Sequence, residues 1–203
     1  MRSRSWSWLF GAMALLLSVP GSAIAAGPAQ KALEKPIRTL VSAVRYEKDA
    51  LALKNLAGEE QGQALLGEHW EKASPEQRKQ FVRDFQALFA ALAFPKIRKA
   101  FEHLETIVYG EPTIEGKKAT LESTLVVLHP VKKQEYRVKY DLLQQGKDWK
   151  VVDVQVLGTG RPSMLIGIRD EQVKPILEEG GVEAVLQVMT ERLEQIAKAK
   201  KAG

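Results

Sequence analysis

Between Leu104 and Leu157 the apolar residues recur at every second position, and no other stretch restricts the fold as much. "TIVYGEPTIE", "KKATLESTLVVLHP", "QEYRVKYDLLQQ" and "DWKVVDVQVLG" are separated by Glu115-Gly116-Lys117, His129-Pro130 and Gln145-Gly146-Lys147. A period of two between such short Gly- or Pro-bearing turns spells four antiparallel strands in a meander. In the third, Tyr136, Val138, Tyr140 and Leu142 point one way, and Arg137, Lys139 and Asp141 the other. Side chains alternate across a strand, so one face of this sheet demands an apolar cover and the other is largely wet.

The cover has to come from the flanks, which are helical. Leu33, Ile37, Leu40, Val41 and Val44 recur at three- and four-residue spacing, one buried face of a helix. Pro36 falls inside that run and is expected to mark a start or a kink. A second segment around Gln63 to Trp70 leads into "KASPEQRKQFVRDFQALFAALAF". There Ser74 can cap, Pro75 takes the first helical position, and Gln77 completes a capping box. Phe81, Phe85, Leu88, Phe89 and Leu92 then line one stripe, and Pro95 is expected to end the helix before a short one over Lys96 to His103. After the strands, Ser163 to Leu177 reads as helical. A last amphipathic helix carries Val182, Val185, Leu186, Met189, Leu193 and Ile196. Helices, a meander and helices again predict an α+β fold, a curved antiparallel sheet covered on one face by helices.

The N-terminus reads as a leader. Arg2 and Arg4 precede an apolar stretch from Trp6 to Val19, Pro20 and Gly21 break it, and Ala23-Ile24-Ala25 has the small-x-small pattern of a cleavage site. The stretch is shorter than the ~20 residues a spanning helix wants. Residues 1–25 are therefore expected to be a signal peptide and 26–203 one exported domain. Removing Arg2 and Arg4 lowers the formal charge from +5 to +3. So small and scattered an excess implies no nucleic-acid partner. The chain has no cysteine, which excludes a disulfide framework and thiolate chemistry.

Little in the sequence offers a reaction. Gly158-Thr159-Gly160 follows a strand as a phosphate loop would, but that strand closes an antiparallel meander and no Gly-Lys-Ser/Thr follows. The glycines are better read as a sharp reversal. His69, His103 and His129 match no metal spacing, and there is no Gly-x-Ser-x-Gly elbow. Asp141 and Asp153 are the strand carboxylates a general base would need, yet Asp141 falls on the polar face and Asp153 is placed to bond nearby backbone. The residues imply no catalytic set, no metal and no cofactor. They leave a fork: the apolar faces of sheet and helices close as a full core, or stop short and leave a cavity.

"LLGEHWEKASPEQRKQFVRDFQALF" resembles a segment of the MlaC (toluene-tolerance auxiliary) family, through Leu66-Gly67, Trp70, Ser74-Pro75, Gln77, Phe81 and Phe85. "DWKVVDVQVLG" resembles that family's Trp-Lys-Val-x-Asp-Val strand, and Ser163, Met164, Leu165 and Ile168-Arg169 align with the segment after its glycine turn. The turn "GTGRPS" is longer than the family's, and Ile168 replaces an aromatic. The resemblance covers roughly residues 30 to 197. It implies a cone-shaped, NTF2-like scaffold with a lipid cavity, monomeric and periplasmic. It also implies a carrier of glycerophospholipid between an inner-membrane ABC transporter complex and an outer-membrane lipoprotein–porin complex. On this reading Phe85, Leu88, Phe89 and Leu92 form the helix wall of the cavity. Leu125, Val127, Tyr136, Val138, Tyr140, Val152 and Val154 form the sheet wall, and Met164, Leu165 and Ile168 close the mouth. Arg161 or Arg169 would touch a phosphate. Two acyl chains carry on the order of 30 methylenes at about 0.8 kcal/mol each, so roughly 25 kcal/mol of exposure must be shielded in transit. Three alternatives stay open: a hopanoid or other lipid as ligand, an NTF2-like enzyme using Asp141 or Asp153 as base, and a holdase for unfolded protein.

Overall fold

In the computed structural model residues 27–129 and 132–202 are described, so the expected leader lies outside the described part. Six helices precede the sheet: α1 (Pro28–Arg45), α2 (Asp49–Leu53), α3 (Gly58–Leu66), α4 (His69–Lys72), α5 (Pro75–Leu92) and α6 (Phe94–Phe101). Pro28 opens α1, and the helix runs through Pro36, which is buried, rather than starting there. The capping box of α5 forms as its sequence requires: the Gln77 amide donates to Ser74 Oγ at 3.2 Å, and the Ser74 amide to Gln77 Oε1 at 2.9 Å. Pro95 does not end α5. It lies in the first turn of α6, where a missing N–H costs nothing, and only Ala93 separates the two helices.

The strands are β1 (Leu104–Tyr109), β2 (Thr113–Glu115), β3 (Lys118–His129), β4 (Lys132–Gln145) and β5 (Asp148–Val156). The order is β1-β3-β4-β5, antiparallel throughout, with β2 also on β3. The segment expected as a single first strand is two, because Gly110, Glu111 and Pro112 interrupt the ladder between β1 and β2. Proline has no N–H to give to a ladder. The polar face is as expected: Arg137 pairs with Glu122 at 2.9 Å, and Lys139 with Asp141 at 3.3 Å.

The segment joining α2 to α3 lies against β5. The Val151 amide donates to Asn55 O at 2.8 Å, and the Ala57 amide to Val151 O at 2.9 Å. Part of an open edge is thereby occupied. Beyond β5, Gly158 and Gly160 both take left-handed φ, 78° and 69°, and reverse the chain into α7 (Met164–Ile168). One π-helical turn, Arg169–Val173, leads to α8 (Lys174–Ala202), broken at Gly181.

Two apolar interiors result. One is a solid cluster between α3, α5, α7 and α8, holding Leu65, Leu66, Trp70, Phe81, Phe85, Leu165, Leu177, Val185, Leu186 and Met189. Its packing is tight enough that a Cβ on Gly62 would meet the Trp70 ring at 2.6 Å. The other lies between α1, α6 and the apolar face of the sheet, with Leu33, Ile37, Leu121, Val138, Tyr140, Leu142 and Val151 in one cluster and Val44 and Phe94 in a neighbouring one.

Candidate functional site

The second interior is hollow. A cavity of about 880 Å³ separates the sheet from the helices, within the size range of small-molecule sites. Its sheet wall is Leu125 and Val127 of β3, Tyr136, Val138 and Tyr140 of β4, and Val151, Val154 and Val156 of β5. Its helix wall is Ile37, Leu40, Val41 and Val44 of α1 with Phe94, Ile97 and Phe101 of α6. Phe89 of α5 and Met164 of α7 complete it.

A β-bulge decides which valines of β5 take part. Along most of the β4–β5 ladder partners advance in step, but Asp141 faces Asp153 while Leu142 faces Val151, so Val152 has no partner opposite. An extra residue in one strand bends it and changes the facing of the residues beyond it. Val151 and Val154 consequently both line the cavity, while Val152 packs on the solid cluster. The Val152 carbonyl accepts from Gln61 Nε2 at 2.9 Å, which ties α3 to the bulge. A second register shift lies between Leu104 and Thr106 of β1. Bulges sharpen the local twist of a sheet, and a sheet curled in this way is harder for straight helices to fill.

Few polar groups reach the interior. Tyr140 Oη lies 3.2 Å from Ser123 Oγ in a buried hydrogen bond. Burial pushes the Tyr140 hydroxyl above the ordinary tyrosine range, against a lowering by that bond. Tyr109 is pushed up further, first by burial and then by the neighbouring Tyr140, although Arg38 lies 4.7 Å from its ring centre. Among the described residues, the buried Tyr109 hydroxyl has no hydrogen-bond partner. The exposed lining residues mark where the cavity meets solvent, its mouth: Lys96, Lys99 and Ala100 of α6, Glu102 and His103 just after it, Tyr136 and Val156.

Of the residues expected at the site, Phe89, Leu125, Val127, Tyr136, Val138, Tyr140, Val154 and Met164 meet around this cavity. Phe85, Leu88, Val152, Leu165 and Ile168 belong instead to the solid cluster. The stripe of α5 faces α8 at Phe85, and Leu165 turns away from Met164 because successive residues on a helix point about 100° apart. Leu92, at the end of α5, is 41% exposed. Arg161 and Arg169 do not line the cavity, and Arg169 pairs with Asp170 at 2.9 Å.

Sequence reasoning misses the walls given by α1 and α6. Their signal is present in the spacing of Phe94, Ile97 and Phe101 and of Ile37, Leu40, Val41 and Val44, but it reads only as burial.

The strand carboxylates are accounted for. Asp153 Oδ1 accepts from the Val154 amide at 2.8 Å and the Leu165 amide at 3.0 Å, so Asp153 fastens the first turn of α7 to β5. Asp141 lies on the polar face with Lys139 and Thr120. Among the described residues, no group of three His, Cys, Asp or Glu side chains could hold a metal ion.

Against models of known protein families, that of the MlaC protein matches residues 34–191, most of the 203-residue chain. The chain belongs to the MlaC family. No curated protein matches the chain. Among solved structures, this MlaC-family fold is similar to the phospholipid-binding protein from Ralstonia solanacearum, determined in complex with a phospholipid. That similarity has a TM-score of 0.66 at 17% identity and covers 84% of this chain and 99% of that one. A SEC-C motif containing protein from Rhodopseudomonas palustris reaches a TM-score of only 0.38 at 10% identity, over 61% of this chain and 77% of that one, and carries no argument. The expected α+β architecture, an antiparallel sheet with helices, is that of this family.

Proposed function

We propose that this MlaC-family protein is a soluble periplasmic carrier that holds the acyl chains of a glycerophospholipid between its sheet and helices α1 and α6. The observation that carries the reading is the apolar hollow of about 880 Å³ in the middle of an otherwise packed fold. A methylene fills about as much space as a water molecule, roughly 30 Å³, so the hollow has room for on the order of thirty methylenes. That matches the apolar part of a two-chain lipid. Its walls make no demand on ligand shape beyond dryness, and Met164 can adapt to irregular chains. The phospholipid in the Ralstonia solanacearum structure of similar fold supports the same reading.

Transport rests on the same need to limit exposure. A lipid crossing water must hide most of its apolar surface, and among the described residues no helix is long and apolar enough to cross a membrane. We assign the carrier to traffic between an inner-membrane ABC transporter complex and an outer-membrane lipoprotein–porin complex, acting as a monomer. Family membership supports this assignment.

The test is native mass spectrometry of protein purified without detergent, followed by organic extraction. Phospholipid at close to one per chain is expected. An empty protein that takes up no phospholipid from vesicles would overturn the proposal.

A further inference from the structure

The charged side chains bordering the cavity, Lys96, Lys99 and Glu102, lie on α6 and at its end. Lys96, Lys99 and Glu102 succeed one another at three-residue spacing along α6 and its end, and all three are exposed at the mouth. That spacing sets them on one side of the helix, while Ile97 and Phe101 of the same helix contribute to the apolar lining. Helix α6 thus carries a dry face and a charged edge along the same opening.

A nearby cation is otherwise engaged. Arg98, between the two lysines, donates to Val44 O at 2.9 Å and pairs with Glu47 at 3.3 Å and Asp49 at 3.0 Å. No such hydrogen bond or ion pair occupies the ammonium groups of Lys96 and Lys99 among the described residues. Two uncommitted ammonium groups one helical turn apart, at the exposed edge of a dry slot that α6 lines, are donors in search of an acceptor.

Resting on the reading that acyl chains fill the cavity, the position of the headgroup can be derived. An ionised phosphate cannot enter the dry interior without losing its hydration, so it emerges at the mouth. We propose that Lys96 and Lys99 form a headgroup subsite that recognises the phosphodiester of the bound lipid by charge-assisted hydrogen bonds. Glu102, next along the edge, adds a carboxylate within the same row. The subsite therefore accepts a headgroup that also carries an ammonium, as well as a purely anionic one.

The experiment compares three lipids with identical acyl chains: phosphatidylglycerol, phosphatidylethanolamine and uncharged diacylglycerol. Each competes for delipidated full-length protein against a fluorescent fatty acid. Exposed ion pairs contribute only modestly each, so wild type is expected to prefer both phosphate-bearing lipids over diacylglycerol by roughly tenfold. The K96Q/K99Q double variant should lose that preference while binding diacylglycerol as before, with an unchanged circular dichroism spectrum. The phosphorus NMR resonance of bound phosphatidylglycerol should shift between the two proteins. Equal binding of all three lipids by wild type, or a preference that survives in the double variant, would overturn the subsite and leave the carrier standing. Failure of all three lipids to bind would overturn both.

Discussion

Helix α5 borders both interiors of this molecule, and its aromatic stripe meets a different fate in each. Phe81 and Phe85 stack at 6.2 Å, nearly parallel, inside the solid cluster with Leu66, Trp70, Leu186 and Met189. One turn further on, Phe89 lies 5.9 Å from Phe85, meets Phe94 edge-on at 5.5 Å, and fronts the hollow. The residue type and the helical stripe are the same. What differs is the opposite wall. Beside Phe81 and Phe85 stands another helix, α8, whose side chains interdigitate with those of α5 as helix surfaces do. Beside Phe89 stands the bulged sheet, and a hollow separates it from α1 and α6. An apolar stripe promises that water is excluded; it does not say whether protein or a guest does the excluding.

The largest contrast should appear when each side is emptied. Phe81→Ala removes a fully buried ring from a packed cluster and is expected to cost about 4 kcal/mol, read from urea unfolding of delipidated protein. Phe89→Ala, on a wall that already faces space, should cost less than about 2 kcal/mol. Equal losses would erase the distinction between the two interiors.

Filling each side tests it in the opposite direction. Leu186→Trp overpacks the solid cluster and is expected to destabilise by about 1–3 kcal/mol. Val154→Trp places its ring in the hollow, so stability should hold while phospholipid uptake, measured by native mass spectrometry, falls at least roughly tenfold. A large loss of stability in Val154→Trp would mean that the hollow is not available space.

Asp153→Ala sharpens the boundary between the two sides, because Asp153 fastens α7, which gives Met164 to the cavity and Leu165 to the cluster. Loss of a helix-terminal acceptor is expected to cost about 1 kcal/mol, with faster lipid release in a vesicle transfer assay.

The smallest effect is alkaline. Tyr109 and Tyr140 both hold their protons more tightly folded than unfolded, chiefly through burial. The folded state binds more protons once the unfolded tyrosines begin to ionise near pH 10. Stability from these groups is therefore complete below about pH 10 and is lost as pH rises above it. Tyr109→Phe should flatten part of that fall in urea midpoint. It should cost little at neutral pH, because the hydroxyl it removes has no partner among the described residues.

Much of the fold is legible in the residues. The period-two run sets the strands, and Ser74, Pro75 and Gln77 set the start of α5, because alternation and capping are local properties of a few neighbouring residues. The break at Gly110 to Pro112, the passage of α1 through Pro36 and the place of Pro95 depart from what spacing predicts. A proline states only which N–H is missing, and whether that bond is needed depends on where the element begins. The site is legible on β4, where Tyr136, Val138 and Tyr140 keep regular register. It is not legible on β5, where a bulge exchanges Val152 for Val151. Nor is it legible along α5, where Phe85 and Leu88 share a stripe with Phe89 but face a different neighbour.

By itself, then, the sequence determined which side chains avoid water and which elements carry them, since both depend on spacing along the chain. Only the tertiary structure decided that the sheet and helices α1 and α6 stand apart while α5 and α8 close up. The width of a gap depends on the curl of one layer against the straightness of another, and that relation belongs to no segment alone.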